Sequence, residues 1–202
     1  MTLPSKPVRL SAWILIAVTI AEGSWVVINF LPHPARFLAY LGFASGRSGN
    51  FWAWPLAAAV AVLFVAASCR LPAVRENLFR PSALKVLAVL LAIVAGILEE
   101  VCFRKWVMDY AERQGADLIV QILASGMAFG FAHGVWGLLG RSARVALSAT
   151  VATFVMGSAL AVVYIASGRS LAPCIAAHVL ITGLIEPGLV LAATMGQMER
   201  GR

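Results

Sequence analysis

Charge is scarce in this sequence. Charged residues make up 12% of its 202 positions, where soluble domains carry about 25%, and apolar residues reach 61% with a mean hydropathy of +0.88. A soluble fold of this length could not hide so much apolar surface, and disordered, collagen-like and coiled-coil chains are excluded by the same figures. Cysteine is also sparse. Cys69, Cys102 and Cys174 form no CxxC pair and lie in or beside apolar runs, so they specify neither a disulfide framework nor a zinc cluster and read as small hydrophobes in helix packing. Acids number 9 against 16 Lys and Arg, a net charge of +7. The basic residues fall in short loops between apolar runs, where they anchor a chain at a membrane interface, and no nucleic-acid partner is expected. No internal repeat or low-complexity tract interrupts the chain. What remains is a multi-pass integral protein of the cell membrane, with the lipid bilayer as its first partner.

A spanning helix needs about 20 mostly apolar residues. Six runs qualify: residues 11–31, 51–69, a third starting near residue 86, 118–140, 145–168 and 170–197. The predicted fold is therefore all-α, a polytopic transmembrane helical bundle of about six spans. Lys6 and Arg9 precede the first run as the basic start of a signal peptide would, but apolar residues continue past Glu22 to Phe30 with no good small-x-small cleavage site. A retained first helix is expected. Ser82 is placed to cap the third helix, Pro187-Gly188 to break or kink the sixth, and Trp52, Trp54 and Trp106 to lie at span ends.

The third run meets Glu99 after thirteen uncharged residues, which cover only about 20 Å of a roughly 30 Å hydrocarbon core. The helix either carries Glu99 and Glu100 at membrane depth or stops short of crossing. Ionisable groups inside a membrane are costly and usually functional. Glu100 and Arg104 are four apart and share a helix face, which leaves Glu99 free of that pair to act as a general base. An interfacial charge cluster ending a helix fits the hexapeptide equally well. Phe129 and His133 are four apart in the fourth run, where Gly126, Gly130 and Gly134 permit close helix approach. His133 reads either as part of a site or as a packed histidine bonded to a backbone carbonyl. His178 and Thr182, again four apart, lie in the sixth run; His33, in a loop beside two prolines, carries no signal.

These three elements, in this order, resemble the CAAX protease and bacteriocin-processing family of intramembrane endopeptidases, also called the CPBP or Abi family. That family carries EExxxR, FxxxH and HxxxN on successive helices of a four-helix core. Here Glu99, Glu100 and Arg104 match the first motif, Phe129 and His133 the second, and His178 the third, with Thr182 where the family has asparagine. The likeness covers roughly residues 85–182. It implies two accessory helices and loops over 1–82, a four-helix peptidase-like core over 83–198 and a tail over 199–202. It also implies that Glu99 and His133 activate a water for attack on a peptide bond of a membrane-associated protein or peptide. His178 and its neighbour Thr182 would stabilise the oxyanion, and Glu100 and Arg104 would order the site. Threonine offers one hydroxyl donor in place of two amide donors. The glutamate–water reading needs no metal; the alternative is a zinc ion on Glu99, His133 and His178.

Other intramembrane protease classes fit worse, since HExxH and GxGD are missing and the rhomboid GxSG is incomplete at Ser125-Gly126. The competing functions are an inactive scaffold or immunity protein on the same fold and a small ion-coupled transporter. On six spans, one side holds ten Lys and Arg (Lys6, Arg9, Arg70, Arg75, Arg80, Lys85, Arg141, Arg144, Arg200, Arg202) and the other six (Arg36, Arg47, Arg104, Lys105, Arg113, Arg169). That asymmetry places both termini in the cytoplasm. The CAAX proteases that the chain resembles work on cytosolic tails, which asks for the opposite orientation; the charge count is followed here.

Overall fold

The computed structural model describes residues 5–44, 46 and 48–198; Arg47, Arg200 and Arg202 of the charge count, and the 199–202 tail, lie outside the described residues. All of its regular structure is helical. Helix α1 covers Lys6–Phe30, α2 Pro34–Leu41, α3 Ala53–Ser68 and α4 Pro72–Asn77. Helix α5, Ala83–Glu100, starts at Ser82 as expected, whose Oγ accepts from the Lys85 amide at 3.1 Å. It runs unbroken into a π-helical segment, Val101–Met108, and then α6, Asp109–Arg113. Helix α7, Leu118–His133, is capped by the Asp117 carboxylate. Helices α8 (Trp136–Gly140), α9 (Ala143–Ala166) and α10 (Ala172–Thr194) complete the chain.

Five helical stretches are long and apolar enough to cross a membrane: α1, the 31-residue stretch from α5 through α6, α7 with α8, α9 and α10. The second expected span is α3, whose 16 residues reach only about 24 Å. It nevertheless carries the chain across the bundle. At its start the Asn50 amide donates to Ser167 O at 3.2 Å. Beyond its end α4 lies against Gly188, so close that a Cβ there would sit 2.6 Å from Ala73 O. Five of the six expected spans are therefore long enough to cross, and α3 is a shorter apolar helix. Leu15, Leu84, Ala88, Leu91 and Val190 form one cluster, and the Ser11 and Thr194 hydroxyls lie 3.0 Å apart. The starts of α1 and α5 and the end of α10 therefore share one end of the bundle. Helix α10 is the most buried span. Large apolar side chains such as Trp13, Ile28, Leu63, Phe131 and Leu147 face outward, as a bilayer solvent requires.

Two local expectations change. Trp106 lies seven residues before the end of the helical stretch at Arg113 and meets Trp25 of α1 edge-on at 5.9 Å. Pro187 does not break the sixth span, which is continuous through it. Proline has no amide to offer the carbonyl four residues back, that of Gly183. Lys85 supplies the missing donor: its Nζ donates to Gly183 O at 3.1 Å, Leu184 O at 2.9 Å and Leu78 O at 2.9 Å. Lys85 is thus a helix-stabilising group inside the bundle and not a loop cation.

The extended helix also aligns the site. Glu99 lies fourteen residues before Arg113, about 21 Å, and His133 fifteen residues after Leu118, about 22 Å. His178 is only six residues, about 9 Å, into α10. It comes level because the α9–α10 link is recessed, with Ser167 and Leu171 2% and 1% exposed.

Candidate active site

The sequence builds this site from adjacent carboxylates on a helix that keeps going. Glu100 and Arg104 are both fully buried, and Arg104 Nε lies 3.0 Å from Glu100 Oε2. The N–H is not aligned on that oxygen, so the contact is an ion pair and not a directed hydrogen bond. The other carboxylate oxygen, Oε1, lies 2.7 Å from His178 Nδ1. A π-helical segment begins immediately after this pair. Such segments occur often at functional sites. Its Phe103 carbonyl is held by the Ser125 hydroxyl of α7 at 2.8 Å.

Glu99 points the other way. Its Oε2 lies 3.6 Å from His178 Nε2 and 3.8 Å from His133 Nε2. His133 Nδ1 lies 2.9 Å from Phe129 O, a carbonyl that can only accept. The Nδ1 therefore carries the proton, and Nε2 turns a lone pair toward Glu99. Both readings of His133 hold at once: one ring nitrogen is packed on a carbonyl and the other faces the carboxylate. Glu99 and His133 keep side-chain exposures of 18% and 21%, whereas His178 is closed off at 3%.

Phe129 is the hub. Its ring is fully buried and sits 4.6 Å from the Arg104 guanidinium carbon, 4.4 Å from the His133 ring and 5.8 Å edge-on from the His178 ring. The expected close approach of glycine-bearing helices makes room for it. A Cβ on Gly130 would come 2.7 Å from Thr150 O, and one on Gly157 3.1 Å from Phe129 Cβ. Helix α7 stops at His133, where the sequence suggested a continuous run to residue 140, so this histidine occupies a helix end.

The structure brings Glu99, Glu100, Arg104, His133 and His178 together. Thr182 lies one turn beyond His178 on α10 and is half-buried, and no hydrogen bond ties it to these five among the described residues. Among the described residues no group of three or more His, Cys, Asp or Glu is disposed to hold a metal ion. Two further acids inside spans also reach this region. Glu22 of α1 and Glu186 of α10 interact electrostatically with Glu99 and His178. Glu22 Oε2 is buried with no hydrogen-bond partner among the described residues. Their scarcity inside spans was the signal that could have found them.

A family model, described as type II CAAX prenyl endopeptidase Rce1-like, matches residues 81–184. The chain belongs to the Rce1-like family. The match takes in every side chain of the Glu99–His178 constellation and Thr182, and it leaves out Glu22 and Glu186. No curated protein and no solved structure gives a significant match. This Rce1-like chain is accordingly an integral multi-pass membrane protein of a protease family, with a peptide or protein substrate and the lipid bilayer as its partners in kind.

Proposed function

We propose that the chain is an active intramembrane endopeptidase that cleaves a peptide bond of a membrane-associated protein or peptide. The observation that carries this is the Glu99 carboxylate set between the Nε2 atoms of His133 and His178, at 3.8 and 3.6 Å. A water placed between Glu99 and His133 gives its proton to the Glu99 carboxylate as its oxygen attacks the carbonyl carbon. The carbonyl oxygen gains the negative charge. His178 donates to it through Nε2, which requires the doubly protonated ring, since the Nδ1 proton is directed at Glu100. Glu99 then passes its proton to the amide nitrogen, the C–N bond breaks, and the new carboxylic acid gives the water's second proton to the amine as the two ends separate. Arg104 neutralises Glu100, so that Glu100 can hold His178 without adding an unpaired charge. Thr182 adds its hydroxyl on the oxyanion side, one turn from His178.

The test is Glu99→Gln in purified protein with a membrane-anchored peptide. Cleavage should fall by at least about a hundredfold, the scale of a general base, while the protein stays folded. Undiminished cleavage would refute Glu99 as the general base, and no cleavage by the wild type together with a cellular phenotype that survives the change would identify a scaffold. Loss of ion flux in place of cleavage would identify a transporter.

A further inference from the structure

One guanidinium joins the three helices that carry Glu99, His133 and His178. Arg169 Nη1 donates to Asp109 Oδ1 at 2.8 Å; Nη2 donates to Gln121 Oε1 at 2.6 Å and lies 2.9 Å from Glu112 Oε1. Asp109 and Glu112 belong to α6, the continuation of the helix that bears Glu99. Gln121 belongs to α7, which ends at His133. Arg169 itself stands three residues before α10, which bears His178. Its partners are fixed from a second side. Asp109 Oδ1 also accepts from the Tyr164 hydroxyl at 3.1 Å. The buried Gln121 amide donates through its nitrogen to Ala116 O at 2.8 Å, which turns its oxygen to Arg169.

The backbone at this point is unusual. Arg169 has φ 64°, a left-handed conformation that residues other than glycine rarely adopt. Such strain persists where the surrounding contacts over-determine it. The Ser170 amide donates to Ser167 Oγ at 3.0 Å, and Asn50 Nδ2 donates to Ala166 O at 3.0 Å, so the α9–α10 link is pinned on both sides of Arg169. Helices are stiff along their axes, and an anchor shared at one end sets their relative depth at the other. Asp109 is ten residues from Glu99, Gln121 twelve from His133 and Arg169 nine from His178.

We infer that Arg169 is a positioning residue: its guanidinium sets the axial register of these three helices, and with it the spacing of Glu99 from His178 and His133 at 3.6 and 3.8 Å. The catalytic consequence rests on the peptidase reading of the Glu99 centre; the register itself does not. No proton or bond of the reaction passes through Arg169, so its loss acts on the geometry of the transition state and not on capture of the substrate. Bridging a carboxylate and an amide at once needs the forked donors of arginine, which lysine lacks.

The experiment uses the full chain in detergent and two readouts. With a membrane-anchored peptide, Arg169→Met should lower kcat at least about tenfold and leave KM within about twofold. Arg169→Lys should not rescue it. Gln121→Met, which removes one arm, should show the same split on a smaller scale and decides the matter if Arg169→Met does not fold. The second readout needs no turnover. A Cβ on Gly183 of α10 would lie 3.8 Å from Ala92 Cβ of α5, the separation found in disulfides. In a background without native cysteines, Ala92→Cys with Gly183→Cys should cross-link readily on oxidation, and Arg169→Met or Gln121→Met should slow this, the former at least about fivefold. Unchanged kcat in the folded variants, full rescue by lysine, or cross-linking at the undiminished rate would overturn the inference. A wild type that cleaves nothing would refute the peptidase reading, and cross-linking alone would then decide whether Arg169 sets the register.

Discussion

Removing Arg104 tests the electrostatic logic of the site most directly. Arg104 and Glu100 are fully buried 3.0 Å apart, and the guanidinium also packs on Phe129 and lies 3.5 Å from Gly157 O. In Arg104→Met the side-chain volume is largely kept, but Glu100 retains only His178, at 2.7 Å on its other oxygen. A buried carboxylate that loses its cation costs about 3–5 kcal/mol. On the scaling for chains of 150–250 residues, that corresponds to a melting-point loss of about 6–20 °C. The assay is thermal unfolding in one detergent, followed by intrinsic tryptophan fluorescence. The companion Glu100→Gln/Arg104→Met removes both charges and should recover most of the lost stability while still impairing cleavage. A single variant as stable as the wild type would show that the pair is not coupled in the folded protein. A double variant no better than the single one would show that Arg104 acts by packing on Phe129.

Three further outcomes are expected. Thr182→Asn should maintain or raise peptide cleavage, since it adds a second donor on the oxyanion side; abolished cleavage in a folded protein would give threonine a different task. Lys85→Met should lower the melting point by several degrees, on the order of 1–3 kcal/mol for carbonyls left without a donor, and Lys85→Met with Pro187→Ala should recover part of it, because alanine restores the amide to Gly183 O. In a background without native cysteines, Gly115→Cys should label from outside intact cells and Ser142→Cys should not; the reverse pattern would invert the orientation given by the charge count.

The polytopic helical bundle was legible because each apolar run must satisfy its own backbone inside a membrane. The candidate site residues stood out in the sequence because ionisable groups inside spans are rare, and Glu99, Glu100, Arg104, His133 and His178 converge. What hydropathy could not show is how polar residues are retained inside the bundle. Arg104, Lys105, Asp109 and Glu112 look like the end of a span. Yet Asp109 pairs with Arg169, and Tyr164 donates to it at 3.1 Å, so the helix continues to Arg113 and carries Trp106 with it. The same blindness made Lys85 look like a loop cation and Pro187 a break. Each is explained by the other, and their contact joins residues about a hundred positions apart. The π-helical segment is a change of hydrogen-bond register, which residue periodicity does not encode.

The division of labour between the two adjacent glutamates shows where local reasoning ends. Spacing alone paired Glu100 with Arg104 and left Glu99 free, and the structure agrees. Spacing could not say that His178, 78 residues away, would take the other oxygen of Glu100 through Nδ1 and so present Nε2 to Glu99. That contact turns an ion pair into an orienting device. Arg104 holds Glu100 in place, Glu100 fixes the direction of His178, and Phe129 wedges both imidazoles at the level of Glu99. A chain that kept the three short motifs but lost the packing of α7 on α9 around Gly130 and Gly157 would keep every one of these residues and none of this geometry. The geometry of the candidate site therefore depends as much on these glycines as on the carboxylates themselves.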